Sequence, residues 1–340
     1  MTTPECGKFR SRGLAGAAAL LALAITAAAG VTSAGAVGPY PGLGSCSVFP
    51  DPPPGTPANA PSLATEAAWN QDISKAPVAP NSAATIAYIN AHGGNLLHPD
   101  FGSPRAYGFP YAVVGDGQRK LPIRYTAYGD ESDPGPFPVP KGAPVEGGNG
   151  SDGDRHVLVV DRSSCTLYEL YRAFFKGGGG AHWNADSGTR WDLRSDERRP
   201  DSWTSADAAG LPIFPGLVRY DEVAAGQLEH AIRVTFDSTR NAWVHPASHC
   251  AGDSSDPNAP AMGTRLRLKA GYGLGGFSGG AKVIVEAMKR YGMIVADNGS
   301  NWYFSGSSDR RWNDENLNQL KRIPGSAFQI VKSAAPPHNC

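Results

Sequence analysis

Charged side chains are scarce in this chain, and neither sign prevails. Lys and Arg number 31 and Asp and Glu 31, together 18% of 340 residues. A nucleic-acid protein working through a basic surface is thereby disfavoured. Low charge beside 42 Gly and 29 Pro also argues against a helical bundle or coiled coil. No C-x-x-C spacing points to zinc. No internal repeat and no βαβ rhythm is found, and no apolar run of membrane length follows residue 36. Wholesale disorder is excluded by an apolar content of 41%.

What is present begins with an address. Lys8, Arg10 and Arg12 precede an apolar run over 13–31, and Ala34-Gly35-Ala36 fits signal-peptidase cleavage. We expect residues 1–36 to be a signal peptide, 37–65 a Pro-rich segment and 66–340 a single β-rich domain. The product is expected to be secreted, extracellular and monomeric, with no membrane contact in its mature form. Cys6 leaves with the signal. Cys46, Cys165, Cys250 and Cys340 are then expected to form two disulfides in an oxidising compartment. Three pairings are open; Cys46–Cys340 with Cys165–Cys250 is favoured because chain termini often meet.

Strand patterns dominate. Residues 156–160 and 166–174 flank a tight turn and predict a hairpin. In 231–236, Ile232, Val234 and Phe236 face one way and Arg233 and Thr235 the other. In 264–269, Leu266 and Leu268 face in. Such alternation predicts antiparallel sheets with one wet face. A short helix is expected from Asn81-Ser82 to Asn90. A longer one spans 279–291, with Ser278 at its N-cap and Gly292 just past its end. Residues 293–296 and 301–305 flank an Asp297–Ser300 turn and predict another hairpin. The fold class expected is mainly β, an antiparallel sandwich or jelly roll with a few short helices.

Three motifs carry possible chemistry. Gly276-Phe277-Ser278-Gly279-Gly280 matches the G-x-S-x-G elbow of serine esterases. The preceding AGYGLG is no buried strand, and only His338 follows to act as base, so a helix cap is the plainer role. Asp152 and Asp154 in a Gly-rich loop offer alternating oxygens to Ca²⁺, without the distal Glu of an EF-hand; a solvated turn is the plainer role. His230, His245 and His249 lie close along the chain with Cys250 adjacent, and a hydrogen-bonded structural role suits each of them better than metal binding.

The densest polar–aromatic stretch is 182–230, with a second around 297–314. Indole and phenol faces stack on sugar C–H surfaces, while Asp, Asn and Arg bond hydroxyls. Two carboxyls placed across a glycosidic bond can cleave it by acid–base chemistry. The candidate catalytic carboxylates are Glu222, Asp297, Asp207, Asp221 and Asp192. Trp183, Trp191, Arg219, His230, His245 and Trp302 are the candidate substrate contacts. The two stretches are expected to meet in one cleft.

Several segments carry a resemblance: AWNQDISKAPVAPNSAATIAYI, LHPDFGS, SDGDRHVLVVDRSSCTLYELY, TSADAAGLPIFPGLVRYDEV, MGTRLRLKA and MKRYGMIVADNGSNWYFSG. Across residues 66–331 the chain resembles a group of secreted bacterial proteins of unassigned function. The resemblance implies one continuous domain and assigns no catalytic residue. The reading from the residues is a secreted polysaccharide-acting protein, a glycoside hydrolase or lyase using paired carboxylates in a Trp-lined groove. It needs no cofactor, apart from the Ca²⁺ candidate, and its partner is a polysaccharide or oligosaccharide. The alternatives are a non-catalytic carbohydrate-binding or surface protein and an esterase with Ser278 as nucleophile.

Overall fold

The structure, a computed structural model, describes Leu43, Cys46 and residues 68–102 and 107–340. The expected signal peptide, and all of the Pro-rich segment except Leu43 and Cys46, lie outside the described residues. The strands are, in chain order, β1 Tyr111–Val114, β2 Ile123–Tyr125, β3 Val157–Asp161, β4 Thr166–Tyr171, β5 Phe174–Lys176, β6 His182–Ala185 and β7 Ser187–Asp192. Then follow β8 Ile232–Phe236, β9 Ala242–Trp243, β10 Arg265–Leu268, β11 Met293–Asn298, β12 Tyr303–Phe304, β13 Phe328–Ile330 and β14 His338–Asn339. Four α-helices accompany them among the described residues: α1 Ser82–Ala91, α2 Tyr220–Ala224, α3 Gly279–Arg290 and α4 Asp314–Asn318.

The chain is mostly sheet, and its sheets are mixed. One has the order β1-β3-β4-β7, another β12-β8-β11-β10-β13, and two smaller ones are β2-β6-β5 and β14-β9. The pairs β1–β3, β8–β11 and β2–β6 are parallel, which corrects the purely antiparallel expectation. The physical reason is burial on both faces. Val157 and Val159 of β3 enter one core cluster with Tyr168 and Leu170, while Leu158 and Val160 enter another with Leu167 and Trp191. Strands covered on both sides need no wet face and read as continuous apolar runs, as HVLVV does.

The β3–β4 hairpin forms as the sequence predicts. The hairpin expected around 297–300 does not. Strand β12 pairs with β8, on the side away from β11, because β11 is already flanked by β8 and β10. The Thr235 hydroxyl donates to Ser300 O at 2.9 Å and holds the connecting turn across the end of β8.

Helix α3 matches its prediction, including Gly292 at φ 74° just past its end. Ser278 occupies the N-cap, but its hydroxyl caps nothing. The Asn316 side chain of α4 does that instead, accepting from Ala281 N at 2.8 Å.

The cysteines pair as Cys46–Cys165 and Cys250–Cys340, with Cα–Cα distances of 5.4 and 6.6 Å. This corrects the favoured pairing. Strand β14 lies along β9, with His338 opposite Trp243, and so delivers Cys340 to Cys250. Cys165 sits in the β3–β4 turn, where Cys46 meets it.

The two larger sheets join at their edges. Phe109, just before β1, bridges Ser307, just after β12; Phe109 N donates to Gly306 O at 3.0 Å and Ser308 N to Phe109 O at 3.0 Å. The join is close: a Cβ on Gly108 would lie 2.8 Å from Ser308 Cα, and one on Gly306 2.5 Å from the Phe101 ring. Only glycine permits this approach.

Candidate functional site

A cleft opens beside this seam. It has two adjoining lobes with volumes of about 270 and 170 Å³. Asp154, His156 and Asp297 line both lobes and form their junction. The larger lobe adds Asp100, Tyr107, Phe109, Arg233 and Tyr303, and the smaller adds Tyr128, Tyr171, Asp207 and His249.

Asp297 is placed by a break in register. The pairing of β11 with β8 shifts between Val295 and Asp297. Such bulges turn a side chain out of its regular direction. The Asp297 carboxylate accepts from Arg233 Nη2 at 3.1 Å. The same nitrogen donates to Asp207 at 2.6 Å. The two carboxyl oxygens are therefore no further apart than these two bonds laid end to end. Arg233 is buried near the start of β8; its Nη1 donates to Ser305 Oγ at 2.8 Å, and its guanidinium lies 5.1 Å from the Phe109 ring centroid. Asp207 is fully buried, whereas Asp297 keeps 24% of its side chain exposed. Burial pushes the Asp297 carboxyl up to about 6, against the pull of Arg233 and with the help of the charges on Asp207 and Asp154. Burial also raises Asp207, in spite of Arg233.

Behind this group lies a second ion pair. His156 Nδ1 stands 2.5 Å from Glu146 Oε2 and its Nε2 2.9 Å from Ala206 O. Both ring nitrogens face acceptors, an arrangement that suits the doubly protonated cation. Burial alone would lower His156; the Glu146 charge and hydrogen bond prevail and carry it to about 9. Burial would likewise raise Glu146, and His156 holds it below its ordinary value instead. Deeper in β4, the completely buried Glu169 accepts from the Ile213 and Phe214 amides at 3.0 Å. Burial lifts it to about 7 despite these donors.

The structure thus brings Asp207 and Asp297 together, and through them the stretches 182–230 and 297–314. The other candidate carboxylates stand apart from the cleft lining. Glu222 pairs with Arg219 and lies 3.3 Å from His230 Nε2, and these partners hold it below its ordinary value although burial would raise it. Arg219 also donates to Phe214 O at 2.8 Å. Asp221 accepts from Arg311 at 2.7 Å and Asp192 from Arg194 at 2.9 Å. His245 is tilted against Trp243 and His338, which stack on each other.

The three candidate tryptophans line no groove. Trp183 and Trp302 are 2% and 0% exposed, and Trp191 is 7% exposed, each inside an apolar cluster. Ser278 Oγ has Gln319 as its hydrogen-bond partner, and no histidine bonds it. Asp152 is exposed, and among the described residues no group of three or more His, Cys, Asp or Glu side chains is placed to hold a metal ion.

Sequence reasoning missed Arg233, His156, Glu146, Tyr107 and Tyr128. One signal was available: Arg233 is a lone cation amid the apolar residues of AIRVTF. The sequence marks Asp154 only as a candidate Ca²⁺ ligand; its place at the junction comes from the turn before β3. Comparison of the chain with protein-family models, with curated proteins and with solved structures finds no match.

Proposed function

We propose that this is an exported protein that binds a sugar chain in the two-lobed cleft and hydrolyses it. The observation that carries the reading is the position of Asp297. It is a partly exposed carboxyl, raised towards neutrality, at the junction of the two lobes, with the exposed carboxylate of Asp154 beside it. In the reaction, Asp297 gives its proton to the leaving oxygen as the glycosidic C–O bond breaks. Water adds to the anomeric carbon and yields its own proton to Asp154. Asp207 and Arg233 hold Asp297 in place and are positioning residues. Tyrosines, not tryptophans, supply the aromatic surface.

Export is supported by the two disulfides and by the signal-like N-terminus; among the described residues no helix is long and apolar enough to cross a membrane. A sandwich or jelly-roll layering belongs to the same proposal, supported by apolar clusters on both faces of the four-stranded sheet. Binding without cleavage is the second reading, and the grip of Arg233 on Asp297 favours it. A screen of the purified protein on a polysaccharide panel, reading reducing ends and unsaturated products, separates the two. Release of reducing ends supports hydrolysis; binding with no product supports the second reading.

A further inference from the structure

We infer that the ligand is a sugar chain without carboxylate groups, spanning both lobes, and that Asp154 is the residue that enforces this choice. The inference rests on the sugar-chain reading above and narrows it.

The exposed aromatics of the cleft are divided between its lobes. Tyr107 lines only the larger lobe and is 65% exposed; Tyr128 lines only the smaller lobe and is 46% exposed. Large aromatics this open to solvent are few among the described residues, and two of them stand at the separate lobes of one cleft. Each can take the C–H face of one ring. Between them lies the junction of Asp154, His156 and Asp297. A single ring occupies one lobe, whereas a chain reaches both tyrosines and lays a linkage over the junction.

Charge narrows the ligand further. The lining holds two firm cations, and both are already engaged. Arg233 is shared by Asp207 and Asp297, and His156 is held by Glu146. Asp100 is matched outside the lining by Lys321 at 2.5 Å. Asp154 is exposed and makes no ion pair among the described residues. A uronate ring at the junction would therefore face an uncompensated carboxylate and find no free cation among the lining residues. Juxtaposed like charges exclude ligands more sharply than attraction selects them. β-Elimination, which needs a uronate and a cation to neutralise it, is disfavoured on the same ground. Hydroxyl-bearing or amino-bearing rings meet no such penalty.

Isothermal titration at low salt tests this with the intact protein and three hexasaccharides: the cationic hexamer of glucosamine, the neutral hexamer of N-acetylglucosamine and the anionic hexamer of galacturonic acid. The expected result is that the cationic or the neutral hexamer binds at least about tenfold more tightly than the anionic one, a difference of about 1.4 kcal/mol. Asp154→Asn and Asp154→Ser should both narrow that gap, and Tyr107→Ala should weaken the hexamer more than the single sugar. Equal or tighter binding of the galacturonate hexamer would overturn the inference alone and leave the sugar-chain reading standing. A gap unchanged in both Asp154 variants would overturn the role of Asp154. Failure of all three hexamers to bind would overturn the inference together with the reading on which it rests.

Discussion

Asp297 takes a hydrogen bond from Arg233 at 3.1 Å through the nitrogen that also serves Asp207. One guanidinium near the start of β8 thus ties the end of β11 to the loop before Gly210. A buried cation shared by two carboxylates is costly to break, because each partner left behind is an unpaired charge. Arg233→Met should lower unfolding stability by about 3–5 kcal/mol, read from urea midpoints. An unchanged midpoint would show that the network carries no structural weight.

The disulfides give a sharper test of connectivity. Non-reducing peptide maps should link Cys46 to Cys165 and Cys250 to Cys340, with no free thiol after denaturation. The bonds close loops with sequence separations of 119 and 90, so reduction should cost about 4.7 kcal/mol per bond by loop-closure entropy. A peptide joining Cys46 to Cys340 would contradict the fold at both ends of the described chain.

Stability should fall as pH rises from mildly acid to alkaline. Glu169 sits at about 7 in the fold against an ordinary 4.5, so it binds its proton more tightly when folded. The stability this gives is complete below 4.5 and is lost as pH rises through 7, by about 3 kcal/mol at roughly 1.4 kcal/mol per unit. His156, raised to about 9, acts in the same direction: its contribution is complete below 6.5 and is lost as pH climbs through 9. Urea midpoints at pH 5 and pH 8 should therefore differ, and Glu169→Gln should flatten the difference. Parallel profiles for the variant and the natural protein would refute the burial argument.

Helix α3 offers a contrast of two neighbours. Asn316→Ala removes the side chain that caps Ala281 N and should cost about 1 kcal/mol. Ser278→Ala removes a hydroxyl that caps nothing and should cost much less. Equal losses would restore Ser278 as the cap.

Local pattern carried the parts of the fold that depend on near neighbours. Helix α3 was legible from its apolar stripe and Gly292, and the β3–β4 hairpin from two runs around one turn. The parallel pairs were not legible, since nothing within β8 announces that β11 will lie beside it after two intervening strands and a helix. Alternation misled at Arg233, whose outward-facing position is covered by Phe109 and Ser305. Composition misled at the tryptophans: an indole buries so much apolar surface that a core claims it before a groove does. At the candidate site, Asp207 and Asp297 were legible as carboxylates in polar–aromatic stretches, but the cations between and behind them came only with the coordinates.

The most direct measurement compares the natural protein with Asp297→Asn on a glycan that the natural protein is first found to cleave. Turnover of the variant should fall by about 10²–10⁴-fold, the usual share of a general acid, while the glycan is still bound. An Asp297→Asn variant that releases reducing ends at the natural rate would contradict that role.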